Sequence, residues 1–177
     1  MFLTPLLSAL LFSPARAEAP PTGPDFTLGY YTPYGVQPGV RLASRHRRGD
    51  GGRLFISPSA SIFTRPWNHL SGMLNADIGL WRDRDGRLTH TAWSIGSGYL
   101  AAAQVTSESI DLASGEATAE RELRHYYLPT VNYELGWGQR SRQSWFGKLS
   151  YGRKVSPSVE DSDFFAVELG ARFGGRR

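Results

Sequence analysis

The sequence predicts an all-β chain: about eight antiparallel strands closed into an up-and-down barrel, preceded by an N-terminal export signal. Three observations carry this prediction. Apolar and polar side chains alternate with a period of two through most of the chain beyond residue 25, the repeat of a strand with two unlike faces. Short segments rich in turn-forming residues punctuate the alternation, with 20 Gly and 11 Pro in 177 residues. Beyond the N-terminus nothing approaches the 18 consecutive apolar residues of a membrane-spanning helix.

Phe2 to Phe12 is apolar apart from Thr4, Pro5 and Ser8, and Ser13-Pro14-Ala15-Arg16-Ala17 follows. The run is shorter than the ~20 residues a spanning helix takes. Ala15-Arg16-Ala17 has the small-x-small pattern of signal-peptidase sites, so residues 1–17 read as a signal peptide cleaved after Ala17, although the n-region lacks Lys and Arg. The Pro-rich, aperiodic residues 18–24 read as a flexible leader, residues 25–173 as the barrel and residues 174–177 as a C-terminal tail.

Strands are expected at about 25–32, 35–46, 53–64, 69–82, 88–104, 121–138, 143–155 and 162–173. The segment Tyr127 to Trp137 is the clearest. One face carries Tyr127, Pro129, Val131, Tyr133, Leu135 and Trp137, the other Leu128, Thr130, Asn132, Glu134 and Gly136. Residues 164–173 repeat the design, with Phe165, Val167, Leu169, Ala171 and Phe173 opposite Phe164, Ala166, Glu168, Gly170 and Arg172. Elsewhere Ala76, Ile78 and Leu80 oppose Asn75, Asp77 and Gly79, and Trp93, Ile95, Ser97 and Tyr99 oppose Ser94, Gly96 and Gly98. Leu54 to Ile62 alternates with Ser57, Ser59 and Ser61, and Leu149 and Tyr151 with Lys148 and Ser150. Val40 and Leu42 likewise oppose Arg41 and Ala43. An apolar face ending in aromatics, backed by polar and small residues, suits a wall between lipid and a narrow lumen.

An even strand count puts both termini at one end, where residues 47–52, 84–86 and 138–142 form short turns. At the other end fall residues 32–34, 65–68, the long stretch 105–120, and 156–161. The alternation continues through Ile110 and Leu112 towards Ala113-Ser114-Gly115-Glu116, so 105–120 is expected to project as a hairpin exposed near Gly115. Hydrocarbon does not tolerate an open sheet edge, hence the closure. The inward set Arg41, Asp77, Glu134, Lys148, Glu168 and Arg172 holds three charges of each sign, which predicts an ion-paired, filled lumen. Pro38, Pro58 and Pro129 interrupt expected strands and are expected near the rim, because proline removes a ladder donor.

Composition narrows the function classes. The absence of cysteine excludes disulfides, thiolate metal sites, a cysteine nucleophile and a lipidated cysteine. The formal charge is +4, with 18 Arg against 2 Lys scattered along turns and strands, so no basic run marks a nucleic-acid surface. Arginine forks also suit phosphate, which lipid A displays, but solvated turns and interior ion pairs are the favoured account of them.

Glu168-Leu169-Gly170-Ala171-Arg172-Phe173 fits polar-x-Gly-x-x-aromatic and resembles the terminal-strand signal of bacterial outer-membrane β-barrel proteins. The chain departs from that signal by running on to Arg177, with Gly175 at the second apolar position. The resemblance covers residues 25–173, mostly as pattern. It implies a Gram-negative cell envelope, surrounding outer-membrane lipid and lipopolysaccharide, insertion by the barrel assembly machinery, and a monomer. Trp81, Trp93, Tyr127, Trp137, Trp145 and Phe173 are expected as membrane-interface aromatics, with Tyr34 and Trp67 adding to the outer girdle.

The candidate chemistry is sparse. Of His46, His69, His90 and His125, the last is expected outward near the outer rim beside Glu120 and Glu122, with Ser97, Ser107 or Ser109 as candidate nucleophiles. No Gly-x-Ser-x-Gly or His-Tyr-Ser-Asn motif accompanies them. Glu160, Asp161 and Asp163 are a candidate weak calcium site or a solvated acidic loop. The sequence therefore predicts a structural or interaction barrel without catalysis, cofactor or metal. A lipid-modifying enzyme is the second reading. A soluble periplasmic barrel with exchanged faces, binding an apolar ligand, is the third.

Overall fold

In the computed structural model, residues 24–32, 37–48, 53–65, 69–84, 87–110, 117–139, 143–157 and 160–173 are described, almost all as strand. The strands are β1 (Pro24–Tyr31), β2 (Gln37–Ser44), β3 (His46–Arg48), β4 (Leu54–Arg65), β5 (His69–Asp83), β6 (Leu88–Ile110), β7 (Ala117–Gln139), β8 (Gln143–Lys154) and β9 (Ser162–Phe173). All pairings are antiparallel. They join sequence neighbours, except that β2 skips β3 to pair with β4 and that β1 pairs with β9, closing the sheet.

β2 and β3 are two pieces of one strand, so the barrel is eight-stranded. Both lie in the same register on β4, with Ala43 opposite Ser59 and His46 opposite Ile56. The break falls where Pro58, which has no N–H, faces Ser44. Pro129 does the same to the β7–β8 ladder. Pairing lapses between Thr130↔Gly152 and the isolated bridge Tyr127↔Val155, opposite Pro129. Pro58 therefore sits inside β4 and not at the rim as expected. The barrel tolerates it because the proline withholds one donor while β4 keeps its β5 ladder intact through Pro58↔Ala76. Pro38 stands one residue inside the start of β2.

β4, β8 and β9 have 12 residues each. At ~3.3 Å per residue and a tilt near 40°, such a strand covers roughly 30 Å, the thickness of a bilayer's hydrocarbon core. β6 and β7 have 23 residues each and overshoot their neighbours. Beyond Gln104 on β6 and Tyr127 on β7, the two pair only with each other, through Val105↔Arg121 to Ile110↔Ala117. The expected hairpin over 105–120 is thus a continuation of the two strands, and its tip near Gly115 lies outside the described residues.

The two faces are chemically opposite. Outward stand Leu28, Leu42, Ile62, Leu74, Ile95, Val131, Leu149 and Leu169, among others, and Ile95 is 63% exposed. Soluble proteins rarely present so continuous an apolar surface to water. Inward, the packing is layered. At the hairpin end, Tyr31, Phe63, Met73, Leu100, Tyr126, Leu128 and Phe164 form an apolar cluster. Charged side chains occupy the middle and the end that carries the termini, where Phe55, Trp81 and Ala92 form a second small cluster. The exchanged-face reading, with aromatics lining a cavity and Arg41, Glu134 and Glu168 in water, is contradicted by this burial: all three are inside.

Candidate functional site

The inner face holds the one dense assembly of polar groups among the described residues. Position parity along each strand places Arg41, Asp77, Glu134, Lys148, Glu168 and Arg172 inside, each at most 5% exposed. They divide into two groups.

In the middle of the barrel, the Arg41 Nε donates to Glu168 Oε1 at 2.8 Å, an oxygen that also accepts from the Tyr31 hydroxyl and, at 3.1 Å, from Thr27. Lys148 Nζ meets Asp77 at 2.6 Å, and Asn75 and Asn132 donate to the other carboxylate oxygen at 2.7 and 3.1 Å. A Cβ at Gly96 would lie 2.4 Å from Asp77 Oδ1, so the glycine of Gly96-Ser97-Gly98 leaves room for this carboxylate.

Near the termini, Glu134 is a hub. Both its oxygens accept from Arg45, at 2.9 and 2.7 Å, while Oε1 also meets Arg172 at 3.1 Å and His90 Nε2 at 2.8 Å. Arg172 forks onto Asp25 at 2.6 and 2.9 Å. Trp81 stacks on His90 with ring centroids 3.7 Å apart, and Arg45, Arg47 and Arg172 approach the same indole within 5.0 Å. Gly136 makes this possible, because a Cβ there would stand 1.9 Å from the His90 ring.

Trp81 corrects an expectation. It is 6% exposed and lines the lumen, not the lipid interface. Its neighbours Leu80 and Arg82 point outward, so parity sends Trp81 in, where it covers the guanidinium planes. Asp25, Arg45 and His90 belong to the same cluster and were missing from the expected set. Asp25 is the second residue of β1 and Arg45 lies at the β2–β3 break, both at strand ends where a neighbouring alternation is missing on one side.

On the outside, Trp93, Tyr127, Trp137 and Trp145 are exposed. Trp93 packs on Tyr133 with centroids 4.3 Å apart, and Trp137 faces Trp145 across the β7–β8 ladder. Phe173 ends β9, where Gln143 is its partner. Ala171, on the outward row, is nevertheless buried, between the larger cross-strand partners Phe26 and Trp145. Tyr34 and Trp67 lie outside the described residues.

The candidate catalytic pair does not come together. Ser97 donates to the Tyr127 hydroxyl at 3.3 Å, whereas His125 Nδ1 meets the Tyr99 hydroxyl at 2.5 Å. The cross-strand partner of His125 is Ala101, four positions from Ser97, or roughly 13 Å along the strand. Ser107 donates to Glu120 at 3.0 Å, without a histidine in that contact. Just before β9, Asp161 stands 3.4 Å from Arg153, and at the start of β9 Asp163 accepts from Tyr151 at 3.1 Å. Among the described residues no three acidic or histidine side chains converge as metal ligands would.

No protein-family model and no curated protein matches the sequence. Solved structures match the fold. Neisserial surface protein A aligns with a TM-score of 0.63 at 9% identity, over 87% of this chain and 96% of its own. Ail, the attachment invasion locus protein of Yersinia pestis, solved with the heparin analogue sucrose octasulfate, aligns with a TM-score of 0.51 at 12% identity, over 86% and 98%. With its apolar outer wall and polar interior, the chain has the fold of the small outer-membrane β-barrels.

Proposed function

We propose that this protein is a monomeric outer-membrane barrel of a Gram-negative envelope, with a filled lumen and a structural or interaction role, and without catalysis. The reading rests chiefly on the opposition of faces: lipid-compatible side chains all around the wall, and inside it charges that answer one another across the lumen. A channel through such an interior requires breaking Arg41–Glu168, Lys148–Asp77 and the Glu134 hub, so diffusive conduction is not expected. Outer-membrane lipid and lipopolysaccharide would surround the wall, and the barrel assembly machinery would read the terminal strand ending at Phe173. Residues 1–17 would be removed on export. The β6–β7 hairpin, held clear of the other strands, is the surface through which a partner would be met.

Fractionation tests the placement. The mature protein is expected in the outer-membrane pellet, starting at Glu18, and to migrate faster on gels unboiled than boiled. Recovery in the soluble periplasm with heat-insensitive mobility would refute the membrane reading.

A further inference from the structure

Outside the lumen, the wall carries a second feature at the end of the barrel that holds the termini. The β6–β7 register slips between Leu88 and His90. A bulge of this kind re-aims side chains, and a niche of about 440 Å³ opens beside it, lined by Arg84, Arg87, Leu88, Thr91, Tyr133 and Leu135. Thr91, on the outward row but only 7% exposed, forms its floor. Leu88 on its flank is 40% exposed and leads directly onto its partner Trp137 on the lipid-facing wall. Arg84 and Arg87 are exposed, as is Arg82 on the same hairpin.

The niche therefore joins two chemistries: guanidinium groups at the edge of the membrane band, and an apolar, aromatic slope running into it. Guanidinium forks match phosphate oxygens two at a time, and an arginine held at headgroup depth lies where a lipid phosphodiester lies. The volume falls in the range of ligand pockets, roughly 300–1,000 Å³. We infer that this niche binds the headgroup of one anionic glycerophospholipid, with the phosphate on Arg84 and Arg87 and the upper part of an acyl chain over Leu88, Tyr133 and Leu135. The inference rests on the membrane reading above. With the termini facing the periplasm, the lipid belongs to the inner leaflet.

Native mass spectrometry of the purified barrel in detergent tests this, with phosphatidylglycerol and phosphatidylcholine of matched chains added in turn. One phosphatidylglycerol is expected to be retained, at least about tenfold more tightly than phosphatidylcholine. In R84Q/R87Q that preference is expected to vanish, while R153Q, on an exposed arginine of β8, leaves it intact. Should the double variant not fold, R87Q alone is expected to reduce the preference severalfold. Equal retention of the two lipids by the native chain, or an unchanged preference in the folded niche variant, overturns the site. Displacement of the lipid by an equal concentration of inorganic phosphate overturns it as a lipid site. Failure of the membrane reading would be separate and visible, as loss of the heat-dependent gel shift in the native chain.

Discussion

Replacing Ile95 with arginine is expected to destabilise the barrel folded in lipid by about 2–4 kcal/mol, measured by denaturant titration from liposomes. Ile95 lies near the middle of the part of β6 that pairs with β5, on the outward face, flanked by Ile78 on β5 and Val131 on β7. A guanidinium there meets hydrocarbon with no anionic side chain beside it in the row, and the cost follows from its dehydration. In a protein whose outer face met water, the same change would be a surface substitution within about 0.5 kcal/mol. The two outcomes differ enough for one variant to separate them. Leu123→Arg is a natural comparison, because Leu123 stands at the outer rim, beyond the β8 ladder and level with Leu70 at the outer end of β5. Its cost is expected to be near zero.

The second large effect is expected inside. Glu134→Ala removes the acceptor of Arg45, Arg172 and His90 at once. Breaking a buried ion pair from one side costs about 3–5 kcal/mol, mostly because a charge stays buried without its partner. Asp25 moderates the loss, since Arg172 keeps its fork there and Arg45 lies 3.6 Å from the same carboxylate. Adding Arg45→Met to Glu134→Ala is therefore expected to recover part of the stability, a coupling that a double-mutant cycle resolves. A cost below about 0.5 kcal/mol for Glu134→Ala would mean that water reaches this end of the lumen and screens the arginines.

Most of the architecture was legible because a barrel wall imposes one rule on every strand. Val131, Val167 and Leu169 declare the lipid face, and Asn132, Glu134 and Glu168 the lumen, by parity alone. The six inward charges could be picked out for the same reason. What stayed hidden was partnership. Closure sets Arg172 of the last strand against Asp25 of the first, an encounter fixed by the register and not by any local spacing. Trp81 shows the cost of putting residue type before parity. A tryptophan beside a turn suggests a membrane girdle, yet on this strand Ile78, Leu80 and Arg82 point outward, so the position between the last two sends the indole onto His90. The long reach of β6 and β7 was half visible. Alternation through Ile110 announced it, but residues 105–120 lack the apolar face that marks the wall, because above the membrane no lipid demands one.

The chain has no cysteine, so single cysteines introduced along β7 report without background. Spin labels placed in turn at residues 127 to 135, with the protein in liposomes, address the central claim most directly through their relaxation by oxygen, which partitions into lipid, and by a water-soluble nickel chelate. Labels at 127, 131 and 135 should be relaxed strongly by oxygen, and those at 128, 130, 132 and 134 weakly by both reagents, giving a period of two. A flat profile, or outward positions relaxed chiefly by the nickel chelate, would contradict a wall with lipid on one side and a packed interior on the other.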